Sequence, residues 1–230
     1  MSIKQGEVSW GEDTGTTKQW NGGTGGKDTF LRLEKGKNNL RVITNPFQYV
    51  VHYYKPNVDP AKATKTDKYG HRIMCSRAHG ECPVCKAGDK PQLKYLCGLI
   101  DRKTGTYKIL DFSTQIFKGI KVYNDDPDWG PPQNYDLDIV VDPSGGPSGY
   151  YKVVAKPAKA LTANDQLIID SLDLDELRRR ATAPEPVKVK EKFDAILKGL
   201  TLVGNNAMSS SEDTAEFPDA DHQQTSAAPF

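Results

Sequence analysis

The sequence predicts a mainly β fold, an antiparallel barrel or sandwich, on three observations. Short runs of β-branched and aromatic residues recur along the chain, turn residues separate them, and no strand-helix-strand rhythm of a parallel sheet appears. The 230 residues, 37% of them hydrophobic, suffice for one well-filled core or two small ones.

Residues 1–28 are polar and rich in Gly and Thr, which predicts a flexible N-terminal arm. Trp10 and Trp20 stand out in it, as aromatics that either dock on the core or await a partner. In TFLRLEKGKNNLRVITNPF, Phe30, Leu31 and Leu33 alternate with polar residues and face Leu40 and Val42 across GKNN, a hairpin pattern. FQYVVHYYK reads as the next strand, and residues 55–72 as a polar loop. LKYLCGLIDR and GTYKILDFSTQIF form a second pair around DRKTGT, where Gly105 supplies the positive φ of a tight turn. YDLDIVVDPS and GYYKVVAKP form a third across DPSGGPSG.

Helices come late. LTANDQLIIDSL and LDLDELRRRA have capping residues at Thr162 and Asp173, and VKVKEKFDAILKGL lines up Val189, Phe193, Ile196, Leu197 and Leu200 on one face. They are expected to cover one end of the barrel. The ordered core is expected to span 29–203, and the Ser/Ala/Asp-rich segment 204–230 to be a disordered tail.

Charge is unevenly spread. Between Lys86 and Lys121 lie eight basic residues against three acidic ones; after Lys198 there is no Lys or Arg, while Glu212, Asp213, Glu216, Asp219 and Asp221 accumulate. A basic middle with an acidic end predicts a polyanion-binding core whose tail mimics the polyanion. No run is long and apolar enough to span a membrane, and the N-terminus lacks the pattern of a secretory signal, so a cytoplasmic protein is expected.

Cys75, Cys82, Cys85 and Cys97 crowd into 23 residues, where metal binding is the expected use of cysteine in an intracellular chain. Cys82-Pro-Val-Cys85 sets two sulfurs on one side of an ion, and Cys75 adds a third; a closed tetrahedral Zn2+ site needs one more ligand. His79, His71, His52 and Cys97 are all open on spacing alone. A thioredoxin-like redox pair would need its motif between a strand and a helix of a βαβ unit, and loops surround this one. About half of the aromatics in the basic middle are expected in the core, Phe112 and Phe117 first, because successive strand residues face opposite ways.

The opening strands FLRLEKGKNNLRVI, the strand histidine of VVHYYK, the cluster CSRAHGECPVC, the basic-aromatic KYLCGLIDRKTGTYKILDFSTQIFKGI and the acidic end occur in the order found in one family. Over residues 29–160 the chain resembles the helix-destabilising single-stranded-DNA-binding proteins of T-even bacteriophages. That resemblance implies a five-stranded OB-type barrel with a zinc-binding subdomain at about 50–90, and His52, Cys75, Cys82 and Cys85 as the zinc ligands with His79 left out. It implies no enzyme, but a protein of phage DNA replication, recombination and repair that coats single strands in the host cytoplasm. Self-association on DNA belongs to that picture, although the arm here holds only Lys4, Lys18 and Lys27 as basic residues.

Binding of single strands without sequence preference needs cations and stacking rings together. The candidates are Arg41, Tyr53, Tyr54, Lys55, Lys94, Tyr95, Arg102, Lys103, Tyr107, Lys108, Phe112, Phe117, Lys118 and Lys121. The acidic tail ends in Pro229 and Phe230, similar to the Pro-Phe terminus of bacterial single-strand-binding proteins, and that likeness implies docking of replication proteins such as a polymerase, helicase or primase loader. The rivals are weaker. A zinc-bearing duplex-DNA regulator would need a longer recognition helix than LDELRRRATA, and a zinc-dependent nuclease would need carboxylates beyond Glu81 beside the cysteines.

Overall fold

The computed structural model describes residues 5–11, 29–56, 66 and 69–198. Its strands are β1 (Gly6–Glu7), β2 (Gly36–Val42), β3 (Phe47–Tyr54), β4 (His71–Met74), β5 (Gln92–Asp101), β6 (Thr106–Ser113), β7 (Tyr135–Val141) and β8 (Tyr151–Ala158). Its helices are α1 (Pro83–Lys86), α2 (Thr114–Asp125), α3 (Gly146–Gly149), α4 (Ala163–Asp170), α5 (Leu174–Ala181) and α6 (Pro186–Leu197). None of the described helices is long and apolar enough to cross a membrane.

The mainly β, antiparallel expectation holds, but the closed five-stranded barrel does not. The eight strands form one open sheet organised on the ten-residue β5. One edge of β5 is shared: β3 pairs its first half (Val51 opposite Gln92, Phe47 opposite Leu96) and β2 its second (Val42 opposite Leu99, Leu40 opposite Asp101). The other edge carries β6 throughout. The sheet continues from β2 to β7 and β8, and among the described residues no pairing returns from β8 to close it. A helix stands in the gap. Helix α2 packs on β8 as well as on β5 and β6, burying Ile116, Phe117 and Ile120. At Gly119 a Cβ would lie 2.7 Å from a methyl of Val153 on β8, so glycine sets how closely helix and strand approach.

Two expectations are corrected by these elements. GKNN is no turn: it begins β2, and Asn38 pairs in register with Ile139. The Asn38 amide donates to Glu34 O (2.8 Å), Gly36 O (3.2 Å) and Ile139 O (3.1 Å) and accepts from Glu34 N–H, so a residue typical of turns here fastens a strand start. Phe30 makes an isolated parallel bridge to Ile109 instead of pairing with β2. Nor does the strand GTYKILDFSTQIF reach its end; it stops at Ser113, and Ile116, Phe117 and Ile120 follow helical spacing.

The Gly105 turn, the β7–β8 pair and the caps at Thr162 and Asp173 form as expected. The late helices do not cap a barrel end. Helix α5 packs on β3 and β5, and α6 on α1 and β4, with Val189 and Phe193 buried but Leu197 exposed; Leu200 lies outside the described residues. Residues 5–11, expected to be part of a flexible arm, dock on the core. Strand β1 pairs with β3, and Trp10, 1% exposed, stacks on Phe112 and Phe117 while its Nε1 donates to Thr44 O (3.3 Å). Trp20 and the tail lie outside the described residues.

An ion network ties β2, the β5–β6 turn, β7 and α4 together. Arg41 Nε donates to Asp136 (2.6 Å), and Arg102 bridges Asp136 (3.0 Å) and Asp165 (2.7 Å). Burial alone would raise the Asp165 carboxyl, but the bonds from Arg102 and Thr162 outweigh it and hold its pKa below the ordinary carboxylate range. A depressed folded-state pKa stabilises the fold above the unfolded value of about 3.9, and that contribution is lost as pH falls through the folded value. Melting followed from about pH 5 to pH 2.5 is therefore expected to show a shallower acid loss in Asp165→Asn than in the parent; equal slopes would contradict this.

Candidate metal centre and nucleic-acid interface

Alternation along β3 divides the two candidate chemistries between the faces of the sheet. Val50, His52 and Tyr54 point to one side; Tyr49, Val51 and Tyr53 point to the other.

On the first side, His52 meets three cysteines. Cys75 follows β4 directly, its N–H donating to Val50 O (2.9 Å); Cys82 is the N-cap of α1, and Cys85 lies inside that single turn. The four donor atoms all lie within 4.8 Å of one another. His52 Nε2 is 3.6 Å from Cys82 Sγ and 3.4 Å from Cys85 Sγ, and Cys75 Sγ is 3.7 Å from Cys85 Sγ. A tetrahedral ion at the bond lengths zinc takes to sulfur and imidazole would space two sulfurs by about 3.8 Å and sulfur from nitrogen by about 3.6 Å. Three of the six donor separations thus already match tetrahedral edges. His52 is fully buried, and so are Cys75 and Cys82.

The electrostatics agree. The bond from the Cys75 thiol, more than the one from His52, pulls Cys82 down to about 2, so Cys82 is a thiolate. Donating that bond, together with burial, raises Cys75, and burial and the Cys82 charge raise Cys85. A second or third thiolate in this space is strongly disfavoured without a cation to share it. Burial opposes charge on His52, yet its bonds to Cys82 and Asp89 outweigh burial and raise its pKa. Asp89, a residue the sequence reading passed over, lies 2.7 Å from His52 Nδ1. A carboxylate only accepts, so Nδ1 carries a proton, and the second proton, on Nε2 toward Cys82, is the one a metal would displace while Asp89 keeps the support usual for a metal-bound imidazole.

The other proposed ligands lie elsewhere. His79 Nε2 is 3.0 Å from Ala183 O, on the link between α5 and α6; His71 sits in β4 opposite Tyr54; and Cys97 is buried in the main core opposite Leu110. His52, Cys75, Cys82 and Cys85 are the set brought together.

The nucleic-acid candidates scatter. Tyr95, Phe112 and Phe117 are buried, Tyr95 stacking on each phenylalanine with its centroid 4.2 Å from that of Phe117, so all three are core, as expected for Phe112 and Phe117, and cannot meet a base. Arg41, 1% exposed, and Arg102 belong to the ion network. Tyr54 packs edge-on against Phe193. Lys103 pairs with Glu34, and Lys121 with Asp125 and Gly11 O. Lys55 and Lys118 are exposed, while Lys108, Tyr53 and Tyr107 are half-buried. Lys94, expected at the surface as a lysine, is 6% exposed, with its ammonium 5.5 Å from the Tyr53 ring centre.

The second side of β3 holds a cluster the sequence reading did not find. Arg72 on β4 is in register with Tyr53, yet its guanidinium reaches diagonally over Tyr49 (5.4 Å to the ring centre) and donates to the Tyr49 hydroxyl (2.9 Å). Lys94 on β5 is in register with Tyr49 and reaches over Tyr53. Tyr49 in turn donates to Asp111 on β6 (2.6 Å). Burial first, then the Asp111 charge, raises the Tyr49 pKa, so its hydroxyl keeps its proton. Only the register of four strands assembles this group, so no local signal announced it. No model of a known protein family matches the chain, and no curated protein matches it.

Proposed function

We propose that this protein binds single-stranded DNA without sequence preference and serves DNA replication, recombination and repair, with one structural Zn2+ held by His52, Cys75, Cys82 and Cys85. The observation that carries the reading is the pairing of the two faces of β3. A soft, sulfur-rich donor set pins one side, and two cations bedded on tyrosine rings occupy the other.

Three sulfurs and one imidazole suit zinc, and four protein ligands leave no position for a water nucleophile. The role of the ion is then to hold α1 and β4 against β3. On that face Arg72 and the half-buried Tyr53 are the cation and ring open to a strand, with Tyr49 and Lys94 buried beneath them, and a cation beside a ring is what a sequence-tolerant single-strand binder needs. The duplex-regulator reading has less support, because Arg178 and Arg180 on α5, the basic helix it would use, are engaged by Asp175 and Glu176.

Tyrosine and tryptophan fluorescence titrated with oligothymidine and with duplex DNA tests the proposal. Quenching by the single strand alone is expected; equal binding of both forms fits the regulator, and strand cleavage fits a nuclease. The carboxylates Glu212, Asp213, Glu216, Asp219 and Asp221 are proposed to compete with DNA for the cations, and Pro229 and Phe230 to engage replication proteins. Deleting residues 206–230 is expected to tighten binding most at low salt, where unscreened charge acts furthest. Unchanged affinity there rejects the competition.

A further inference from the structure

We propose that Arg72 is a phosphate clamp for the bound strand, and that Tyr49 and Asp111 are the positioning residues that set it. This rests on the single-strand reading above and names where on the chain the backbone is held.

Arg72 combines three properties. Its side chain is 37% exposed, so it can reach solvent and ligand. It is held at a defined angle, because Nη2 donates to the Tyr49 hydroxyl and lies 3.5 Å from the Asp111 carboxylate. A guanidinium carries five N–H donors in a rigid fork that matches two oxygens of a phosphate, and both of these contacts use a single nitrogen. The Asp111 contact, at 3.5 Å, is loose enough to be exchanged for a phosphate oxygen.

The surroundings favour an anion with a ring beside it. Lys94 adds a second cation on the same face, and its ammonium over Tyr53 leaves that half-buried ring next to both charges. The groups facing Arg72 from the packed strands are Tyr49 and Tyr53 on β3, Lys94 on β5 and Asp111 on β6, two cations against one carboxylate when Arg72 is included. Cys75 lies three residues beyond Arg72 on the same strand exit, so the metal centre also fixes the strand that carries the clamp.

The test is a salt series of oligothymidine titrations on the zinc-loaded full chain. Arg72→Gln is expected to weaken binding about tenfold at low salt. It should also make the slope of log affinity against log salt shallower by about 0.7, the share of one phosphate contact on a single strand. Arg72→Lys keeps the slope but not the full affinity, because a point charge replaces a fork. Tyr49→Phe keeps charge and slope while lowering affinity a few-fold, which separates positioning from contact. Lys188→Gln, exposed on α6 away from this face, leaves both unchanged. Zinc content and melting temperature are followed for each variant, so a folding defect is not read as a binding one. If the parent binds and Arg72→Gln keeps its slope, the clamp is overturned and the single-strand reading stands. If the parent binds no oligothymidine, both fall.

Discussion

Cys82→Ala is expected to release the metal and to lower the melting temperature by about 12 °C. Structural zinc contributes folding free energy outright, with apparent values of about 10–16 kcal/mol in small zinc domains, part of which a larger fold retains by packing. A net loss of about 4 kcal/mol, at about 3 °C per kcal/mol in a chain of this size, gives that shift. The site explains why the loss is large. Cys82 caps α1, and α1 is one turn of helix, too short to persist without anchoring. Val84 of that turn is buried with Val189 and Phe193 of α6, so freeing α1 loosens the helix that covers it. His52, buried at the centre of β3, would be left facing two thiols that no longer share an ion. Removing zinc with a chelator should give the same melt. Cys97→Ala provides the contrast: its thiol lies in the apolar core, so metal content is unchanged and only a small packing defect remains. Calorimetry with metal analysis checks both, and a Cys82→Ala protein that keeps its metal and its melting temperature would refute the assignment.

Arg41→Ala is expected to destabilise the fold by about 3–5 kcal/mol, the usual effect of removing one member of a buried ion pair. The Arg41 guanidinium donates to Asp136, Gln133 O (3.2 Å) and Lys159 O (2.9 Å), joining β2 to β7 and to the chain after β8. Truncation leaves the part-buried carbonyls of Gln133 and Lys159 without this donor, and of the two guanidinium partners of Asp136 only Arg102 remains. Replacing Arg41 and Asp136 together by apolar residues of similar size should cost less than the single change, since no uncompensated charge remains. At a temperature where Arg41→Ala is folded, its affinity for oligothymidine should match the parent. Weaker binding with an unchanged melt would return Arg41 to the nucleic-acid surface.

The candidate metal ligands were largely legible because their chemistry is local: two intervening residues set Cys82 and Cys85 on one side of any ion they would hold, whatever the rest of the chain does. Choosing His52 over His79 was another matter. It required β3 and β4 to pair, with His52 opposite Ile73 just before Cys75, a relation that only the resemblance anticipated. Charge was read less well. Arg41 and Arg102 look like DNA contacts in a basic stretch, but their partner Asp136 lies 95 and 34 residues away, and no sequence window contains it. The run Ile116-Phe117 reads in sequence as the end of a strand, whereas it lies in a helix packed on β8. Asn38 was misread for the opposite reason: its amide finds Ile139 O 101 residues away and holds a strand where a turn was expected.

The sequence by itself determined that strands dominate, where most of them turn, and that Cys82, Cys85 and Cys75 could share one ion, because alternation, turn chemistry and C-x2-C spacing act over a few residues. Tertiary structure alone decided that the sheet stays open around α2, that Tyr95 joins Phe112 and Phe117 in the core, and that Arg72 lies beside Tyr49. Those outcomes depend on strand register, and a shift of one residue would send every side chain of a strand to the other face.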